Sequence, residues 1–214
     1  MTIDFHRLAP FSRVFGFDRG TPIDRRYIDG FLAQNAADIH GRVLEIKDDA
    51  YTRRFGAGRV RSNDVLDIDP TNARATIVDD LASGRRLPSN AFDCVILTQT
   101  LQLLYDVRSA IETVHRILTP GGVALVTVPG ITQIPREEAA SWYWSFTEVA
   151  ARRLFESSFS GGAVTVRTHG NILAATAFLH GLALHELRDS EIDAVDPDYP
   201  VIVTVRAVKS GARP

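Results

Sequence analysis

Short apolar runs alternate with helical stretches along most of this 214-residue chain. Val43–Ile46 and Phe92–Leu97 are the clearest runs, and each is short enough to be a buried strand. Between Val107 and Leu118, by contrast, apolar side chains recur every three or four residues, which is typical of a helix with one buried face. Strands separated by helices require a largely parallel sheet with right-handed crossovers. The chain is therefore predicted to be a Rossmann-like α/β domain of about seven mostly parallel strands, with helices on both faces and the last strand antiparallel.

Capping and turn residues supply the predicted boundaries. Thr21 is predicted to cap a helix that has Pro22 in its first turn and ends near Ile39. Asp106, Thr147 and Asn171 are predicted to cap three later helices. The helix from Asn171 is long and apolar, and the pattern leaves open whether it is core, a lid or the face of a homodimer. The interval from 64 to 75 is too short for a crossover helix and is predicted to be a loop. Strands are predicted at 43–46, 60–64, 75–78, 92–97, 123–128, 164–166 and 201–208.

Chain length, net charge and cysteine count favour a single domain with a small soluble partner. Its predicted parts are an N-terminal segment and helix at 1–40, a core at 41–168, and a late helix and edge strand at 169–214. A net charge of −2 gives no reason to expect nucleic acid, and no apolar run approaches the ~20 residues that cross a membrane. The single cysteine, Cys94, suits a reducing compartment, and no secretory signal follows Met1. We therefore expect a cytoplasmic protein, and no spacing of ligands predicts a metal site.

Acidic and polar side chains follow the predicted strands. In an open α/β sheet, ligands bind outside the carboxyl ends of the strands. Glu45, Asp64 and Asp80 lie at three such ends, and Thr98 and Gln99 follow the fourth strand. Carboxylates accept hydrogen bonds from ribose hydroxyls and from an adenine amino group, and they favour a cationic ligand. A nucleoside with a sulfonium centre meets these demands. The alternative is that the acids simply end strands and cap helices.

The same residues resemble the type 11 group of class I S-adenosylmethionine-dependent methyltransferases over roughly residues 20 to 168. Segment 41–46 is similar to that family's first strand, with Glu45 as its acid, and Asp64 falls where the family holds the ribose hydroxyls. Segment 78–81 resembles the adenine-contacting acid and its surroundings, and 118–122 resembles the Leu-Lys-Pro-Gly-Gly turn. The resemblance implies S-adenosylmethionine as cofactor, bound by Glu45, Lys47, Asp48, Asp64, Asp80, Leu81, Thr98 and Gln99.

Two further segments resemble sugar-modifying relatives. Residues 19–25 are similar to a bacterial subgroup found beside, or fused to, glycosyltransferases, and 144–147 resembles a Trp-Arg-Phe-Thr segment with serine in place of arginine. The resemblance implies methyl transfer to a hydroxyl of a small molecule or carbohydrate, and a glycosyltransferase neighbour. His169, after the sixth strand, is the candidate base, with a local hydrogen-bonding role as the alternative. Trp142 and Tyr143 are candidates for binding the acceptor by stacking on a sugar face, with stacking on the adenine or packing against the domain as their alternatives.

One stretch departs from the family pattern. Most members follow the first-strand acid with a Gly-x-Gly-x-Gly turn, because glycine lets the backbone approach the cofactor closely. Here residues 47–51 read Lys-Asp-Asp-Ala-Tyr. The departure leaves a second interpretation open, a methyltransferase-like binding or scaffold module with weak or no activity. A short dehydrogenase is disfavoured, because the chain has neither Gly-x-Gly-x-x-Gly nor Tyr-x-x-x-Lys.

Overall fold

Seven strands form one sheet in the computed structural model, which describes residues 7–211. The first six and last three residues of the predicted domain lie outside the described residues. The strands are β1 (Gly41–Ile46), β2 (Val60–Asp67), β3 (Ile77–Val78), β4 (Phe92–Thr98), β5 (Leu118–Pro129), β6 (Ala163–His169) and β7 (Ile202–Val208). Their order is β3-β2-β1-β4-β5-β7-β6. Strands β1 to β5 run parallel, and β7 is antiparallel to both of its neighbours. The predicted fold class is confirmed, but β7 lies inside the sheet and β6 forms the edge.

Helices cover both faces of this sheet. They are α1 (Ile23–Gln34), α2 (Ala50–Gly56), α3 (Val107–Ile117), α4 (Glu148–Ser158), α5 (Ile172–Leu179) and α6 (Asp189–Asp193). Helices α3 and α4 pack on one face, and α1 packs on the other. Strand β4 shows the consequence, since Val95 and Leu97 face the α3 side while Cys94 and Ile96 face α1. Burial on both faces explains why the strand is one continuous apolar run.

Three of the predicted caps are confirmed. The side chains of Asp106, Thr147 and Asn171 accept hydrogen bonds from backbone N–H groups in the first turns of α3, α4 and α5. Thr21 does not cap α1, because that helix begins one residue after Pro22. A proline in the preceding position fixes the backbone there and leaves no side-chain acceptor for a cap.

Two predicted helices are shorter than expected. Helix α1 ends at Gln34 rather than near Ile39, and the amide of Asn35 donates to the Phe31 carbonyl at the break. Helix α5 stops at Leu179, because Gly181 takes a φ of 69° and sits against Ser12. A side chain at Gly181 would collide with the Ser12 carbonyl, so the close approach requires glycine there. The chain then turns back to form α6.

The strands also differ from their predicted limits. Strand β2 continues three residues beyond Asp64, because Val65 and Leu66 keep the parallel pairing with β1. Strand β3 has only two residues, and the segment that joins it to β2 is a loop, as predicted. Strand β5 already begins at Leu118 and includes Gly121 and Gly122, where its register with β4 is irregular. Among the described residues, no helix is both long and apolar enough to cross a membrane.

Candidate active site

A cavity of about 1000 Å³ opens where the central strands end. Its floor is formed by the carboxyl ends of β1, β2, β4 and β5 and by the residues that follow them. The start of α1 and the segment 132–142 form the walls above this floor. The cavity therefore occupies the position where an open parallel sheet binds its ligand.

Negative side chains dominate the described lining. The lining also includes two cationic side chains, Arg25 and Lys47. Fixed carboxylates around a cleft concentrate cations and supply acceptors for hydroxyl and amino groups. The predicted cationic character of the ligand agrees with this lining. The carboxylates are Asp24, Glu45, Asp48, Asp67, Asp69, Asp79, Asp80 and Glu138.

Glu45 is buried at the end of β1 and fastens the start of α2. Its two carboxylate oxygens accept hydrogen bonds from the backbone N–H groups of Tyr51 at 3.0 Å and Thr52 at 2.7 Å. Burial raises the pKa of Glu45, and these hydrogen bonds oppose the rise. Because both oxygens are engaged, Glu45 holds the connection from β1 to α2 in place at the cavity wall. Asp48, in that connection, lines the cavity as well.

Lys47 occupies the position where the family pattern has glycine, and its backbone takes a glycine-like conformation. Its φ is 72°, in a region that costs a non-glycine residue ~1–2 kcal/mol. The N–H of Lys47 donates to the Leu66 carbonyl at 2.9 Å, and its carbonyl accepts from the Asn72 amide at 2.8 Å. Gln99, after β4, also has a positive φ, of 46°. Compared with the family pattern, Lys47 therefore adds a charged side chain at this position, while the backbone of the turn stays left-handed. The Lys47 side chain is exposed.

Asp64 does not reach the cavity, which corrects its predicted place at a strand end. It lies within β2, where one oxygen accepts from Arg42 at 2.8 Å and the other from Thr76 at 2.9 Å. Asp67 is the residue that ends β2 and lines the cavity. One Asp67 oxygen accepts from the Asn72 amide at 2.6 Å. The apolar residues Val65 and Leu66 were the sequence signal that β2 continues beyond Asp64.

The remaining strand-end residues lie together as predicted. Asp80, Leu81, Thr98 and Gln99 all line the cavity. Asp80 uses one oxygen to accept from the N–H of Ala82, and Leu81 is buried beside it. The side-chain amide of Gln99 donates to Thr127 at 3.2 Å. A carboxylate next to a buried leucine offers one polar and one apolar contact to a planar ligand.

His169 does not line the cavity, in contrast to its predicted role as the base. Strand β7 lies between β5 and β6, so the end of β6 is two strands away from the end of β5. The His169 Nε2 lies 3.0 Å from the Thr204 hydroxyl, and the ring stacks on Tyr27. Burial lowers the pKa of His169, with Arg167 acting in the same direction. These contacts agree with the alternative interpretation of His169, a local hydrogen-bonding role.

The two predicted acceptor-stacking aromatics separate in the structure. Trp142 lines the cavity, whereas Tyr143 is 48% exposed and packs edge-on against Tyr105 outside it. The Trp142 Nε1 is buried and has no hydrogen-bond partner among the described residues. The same holds for Oε1 of Gln102, whose amide nitrogen donates to the Gln99 carbonyl at 2.9 Å. Gln102 was not singled out from the sequence, because its burial depends on the tertiary fold.

Asp24 is a second residue that sequence reasoning did not place in the site. A carboxylate in the first turn of a helix is favoured by the helix dipole alone, so its residue type does not indicate a site. In the structure Asp24 is 6% exposed and lines the cavity. The available signal was its helical spacing, because Ile28 and Phe31 share its face of α1 and are buried.

Comparison with known proteins identifies the family. Residues 29–126 match the family model of the type 11 methyltransferase domain. This part of the chain is a class I S-adenosylmethionine-dependent methyltransferase domain. The match includes β1 to β4 and most of β5, which carry the floor of the cavity. A comparison with curated proteins gave no significant match.

Solved methyltransferase structures share the fold. A methyltransferase from Mesorhizobium loti is 18% identical, with a TM-score of 0.59, and the match covers 85% of this chain and 99% of that one. One from Archaeoglobus fulgidus is 11% identical, with a TM-score of 0.58 and coverages of 86% and 94%. The N-methyltransferase NodS from Bradyrhizobium japonicum WM9, in complex with S-adenosyl-L-homocysteine, is 13% identical, with a TM-score of 0.57 and 89% of both chains covered.

The cavity of this methyltransferase suits its cofactor. Carboxylates at the ends of adjacent strands are acceptors for a nucleoside, and the excess of negative charge favours a sulfonium. Three residues of the lining, Asp24, Gln102 and Trp142, each also have one buried side-chain atom that lacks a hydrogen-bond partner among the described residues. Such atoms require a partner from outside the chain, since an unsatisfied buried polar group costs about 1–3 kcal/mol.

Proposed function

We propose that this methyltransferase transfers the methyl group of S-adenosylmethionine to a hydroxyl of a small molecule or carbohydrate. The observation that carries the proposal is a pair of buried atoms, Gln102 Oε1 and Trp142 Nε1, which belong to residues of the cavity lining and have no hydrogen-bond partner among the described residues. One accepts a hydrogen bond and the other donates one. A hydroxyl can both donate and accept, so a hydroxylated acceptor satisfies both atoms. The indole of Trp142 adds an apolar face of the kind that stacks on a sugar ring.

In this proposal the strand ends bind the cofactor. Asp67 accepts from the ribose hydroxyls in place of Asp64, and Asp80 with Leu81 contacts the adenine. Glu45 supports the turn containing Lys47 and Asp48, and Thr98 and Gln99 lie beside the reacting end. The cofactor supplies an electrophilic methyl group when bound. The chain's own contribution is to exclude water and hold the acceptor oxygen in line with that methyl group.

The experiment is a methyl-transfer assay with labelled S-adenosylmethionine and matched acceptors. The acceptors are a set of saccharides and the corresponding amino sugars, which differ only in the hydroxyl or amine offered. We expect label in the hydroxylated compounds. Gln102→Leu should raise the acceptor KM while leaving S-adenosylhomocysteine affinity unchanged. Exclusive labelling of amines, or of no compound, contradicts the proposed acceptor.

A second candidate, a methyltransferase-like binding module, is favoured by one observation. Lys47 places a cationic side chain at the turn that lines the cofactor cavity. A module of this kind would bind S-adenosylhomocysteine yet release no labelled product with any acceptor. Measuring binding and turnover in the same preparation separates the two candidates. The glycosyltransferase neighbour and the cytoplasmic location stay predictions of the sequence.

A further inference from the structure

Asp24 is a buried carboxylate at the cavity with an unsatisfied oxygen. It is the second residue of α1 and is 6% exposed. Its Oδ1 has no hydrogen-bond partner in the part of the chain that the structure describes. The Nε of Arg25 lies 3.9 Å from this oxygen, beyond hydrogen-bond distance. Asp24 thus lines the cavity and carries a buried acceptor oxygen that the described residues leave without a partner.

The protein around Asp24 does not compensate its negative charge fully. Burial raises the pKa of Asp24, and the neighbouring Arg25 opposes the rise. The guanidinium of Arg25 is shared, because it also lies 3.4 Å from the Tyr51 hydroxyl. A buried carboxylate with little compensation binds a proton more strongly than an exposed one. The other charged groups on α1 and around the cavity near it are Asp29, Glu45, Lys47 and Asp48.

We propose that Asp24 is the catalytic residue that accepts the proton of the acceptor hydroxyl during methyl transfer. The inference rests on the proposed function, since a neutral hydroxyl must lose its proton when its oxygen is methylated. The oxygen–carbon bond forms while the carbon–sulfur bond breaks and leaves its electron pair on sulfur. The oxygen–hydrogen bond breaks at the same stage, and the proton goes to the carboxylate of Asp24. Atoms and charge balance, because a sulfonium and a carboxylate become a neutral sulfide and a carboxylic acid.

The charge change at sulfur drives the proton in the required direction. A sulfonium in the cavity stabilises the Asp24 anion, because opposite charges in a partly buried site attract. Once the methyl group has left, that attraction disappears and the buried carboxyl holds its proton more firmly. Asp24 is thus a stronger base after transfer than before it. His169, which hydrogen-bonds to Thr204 away from the cavity, does not compete for this role.

Proton-linked calorimetry tests this coupling without an acceptor. S-adenosylmethionine and S-adenosylhomocysteine are titrated into the protein in buffers of different ionisation enthalpy, at weakly acidic to neutral pH. We expect proton release on binding S-adenosylmethionine and less on binding S-adenosylhomocysteine, with the difference abolished in Asp24→Asn. Asp29→Asn is the matched control, because it removes a carboxylate from the same helix outside the cavity and should keep the difference. Equal proton release for the two ligands, or an equal loss of affinity for both in Asp24→Asn, overturns the proposal.

Turnover separates this proposal from the proposed function. With a hydroxylated acceptor, Asp24→Asn should lower kcat by about 100-fold or more with a small effect on KM, as expected for loss of a base. The acidic limb of the kcat profile against pH should disappear in this variant. Wild-type activity on hydroxyls together with an equally active Asp24→Asn overturns the role of Asp24 and leaves the function standing. If wild type methylates no hydroxyl, the function fails, and the role of Asp24 as hydroxyl base fails with it.

Discussion

At the scale of single residues, neighbouring carboxylates on β2 have different surroundings. Asp64 pairs with Arg42 and accepts from Thr76, so its charge is neutralised within the protein. Asp67, three residues later, lies at the cavity and accepts from the Asp69 N–H and the Asn72 amide, with no cationic partner among the described residues. A carboxylate that is paired inside the fold stabilises structure, whereas one at the cavity is available to a ligand. The location of each acid within its strand therefore decides its role.

Replacing these two acids should separate binding from stability. Asp67→Ala should weaken S-adenosylhomocysteine by ~1–3 kcal/mol, because a hydrogen bond to a charged group is lost. Asp64→Ala should leave the affinity unchanged and lower the free energy of unfolding by up to ~1 kcal/mol, the usual value of a partly exposed ion pair. Isothermal calorimetry and urea unfolding measure the two effects. The reverse pattern, with Asp64→Ala losing the ligand, restores Asp64 as the ribose acid.

The charge of Lys47 should distinguish the substrate form of the cofactor from its product. Its ammonium repels a sulfonium and not a neutral sulfide, so Lys47→Gly should tighten S-adenosylmethionine more than S-adenosylhomocysteine. Near an exposed surface the difference should be on the order of 1 kcal/mol and shrink with added salt. Lys47→Ala removes the charge but keeps a side chain at positive φ, so it should show the same selectivity. An equal change for both ligands in both variants shows that the charge has no part in selectivity.

Burial of Asp24 should reduce stability at neutral pH. Its pKa is raised in the folded protein, so the folded state binds a proton more strongly than the unfolded state. Its stabilising contribution is complete below the ordinary value of 3.8 and is lost as pH rises through the raised pKa. Asp24→Asn should therefore raise Tm at neutral pH, and the gain should vanish in acid. Thermal unfolding across pH checks this, and a variant that is less stable at neutral pH contradicts it.

At the scale of elements, one side chain joins the last helices. The Asn171 Oδ1 accepts from the N–H of Ala174 in α5, and its amide donates to the carbonyls of Glu191 and Ala194 at 2.7 Å. It thus caps α5 and holds the end of α6 against it. This arrangement replaces the single long helix predicted from the apolar pattern.

Loss of Asn171 should release both contacts at once. We expect Asn171→Ala to lower the free energy of unfolding by ~1–2 kcal/mol, since a lost cap alone costs about 1 kcal/mol. Asn171→Ser keeps a capping oxygen and lacks the amide donors, so it should recover only part of the loss. Urea unfolding of the three proteins measures this. Full recovery in the serine variant shows that the bonds to α6 contribute nothing.

Local patterns predicted elements better than they predicted their ends. The caps at Asp106 and Thr147 could be predicted, because each capping side chain is adjacent in sequence to the helix that it caps. The end of α5 could not be predicted from the sequence. It depends on Gly181, whose close contact with Ser12 joins residues far apart in the chain. The placement of β7 inside the sheet likewise depends on strand pairing, which leaves no local signature.

At the scale of the whole molecule, the cavity couples distant parts of the chain. Its lining extends from Phe15 to Ile202 and includes residues from α1, the strand ends and α5. Sequence analysis identified most of the floor, because strand ends converge in any parallel sheet. It missed Asp24 and Gln102, because their approach to the cavity depends on how helices and loops pack over that floor.

A ligand in this cavity should stabilise the entire domain. S-adenosylhomocysteine binds the folded state and has no site on the unfolded chain, so at a hundredfold excess over Kd it should add about 2.7 kcal/mol to the free energy of unfolding. A thermal shift that rises with ligand concentration measures this. Adenosine alone should give a smaller shift because it lacks the amino-acid portion. A Tm independent of millimolar S-adenosylhomocysteine contradicts binding in the cavity.

The position of β7 has a consequence for how the chain is synthesised. Strand β6 emerges from the ribosome before β7, yet β7 is its neighbour in the sheet and separates it from β5. Until residue 208 has left the exit tunnel, the exposed edges of β5 and β6 have no partner. Unpaired edges of this kind invite association with other chains. The nascent protein thus depends on β7 to cover the facing edges of β5 and β6.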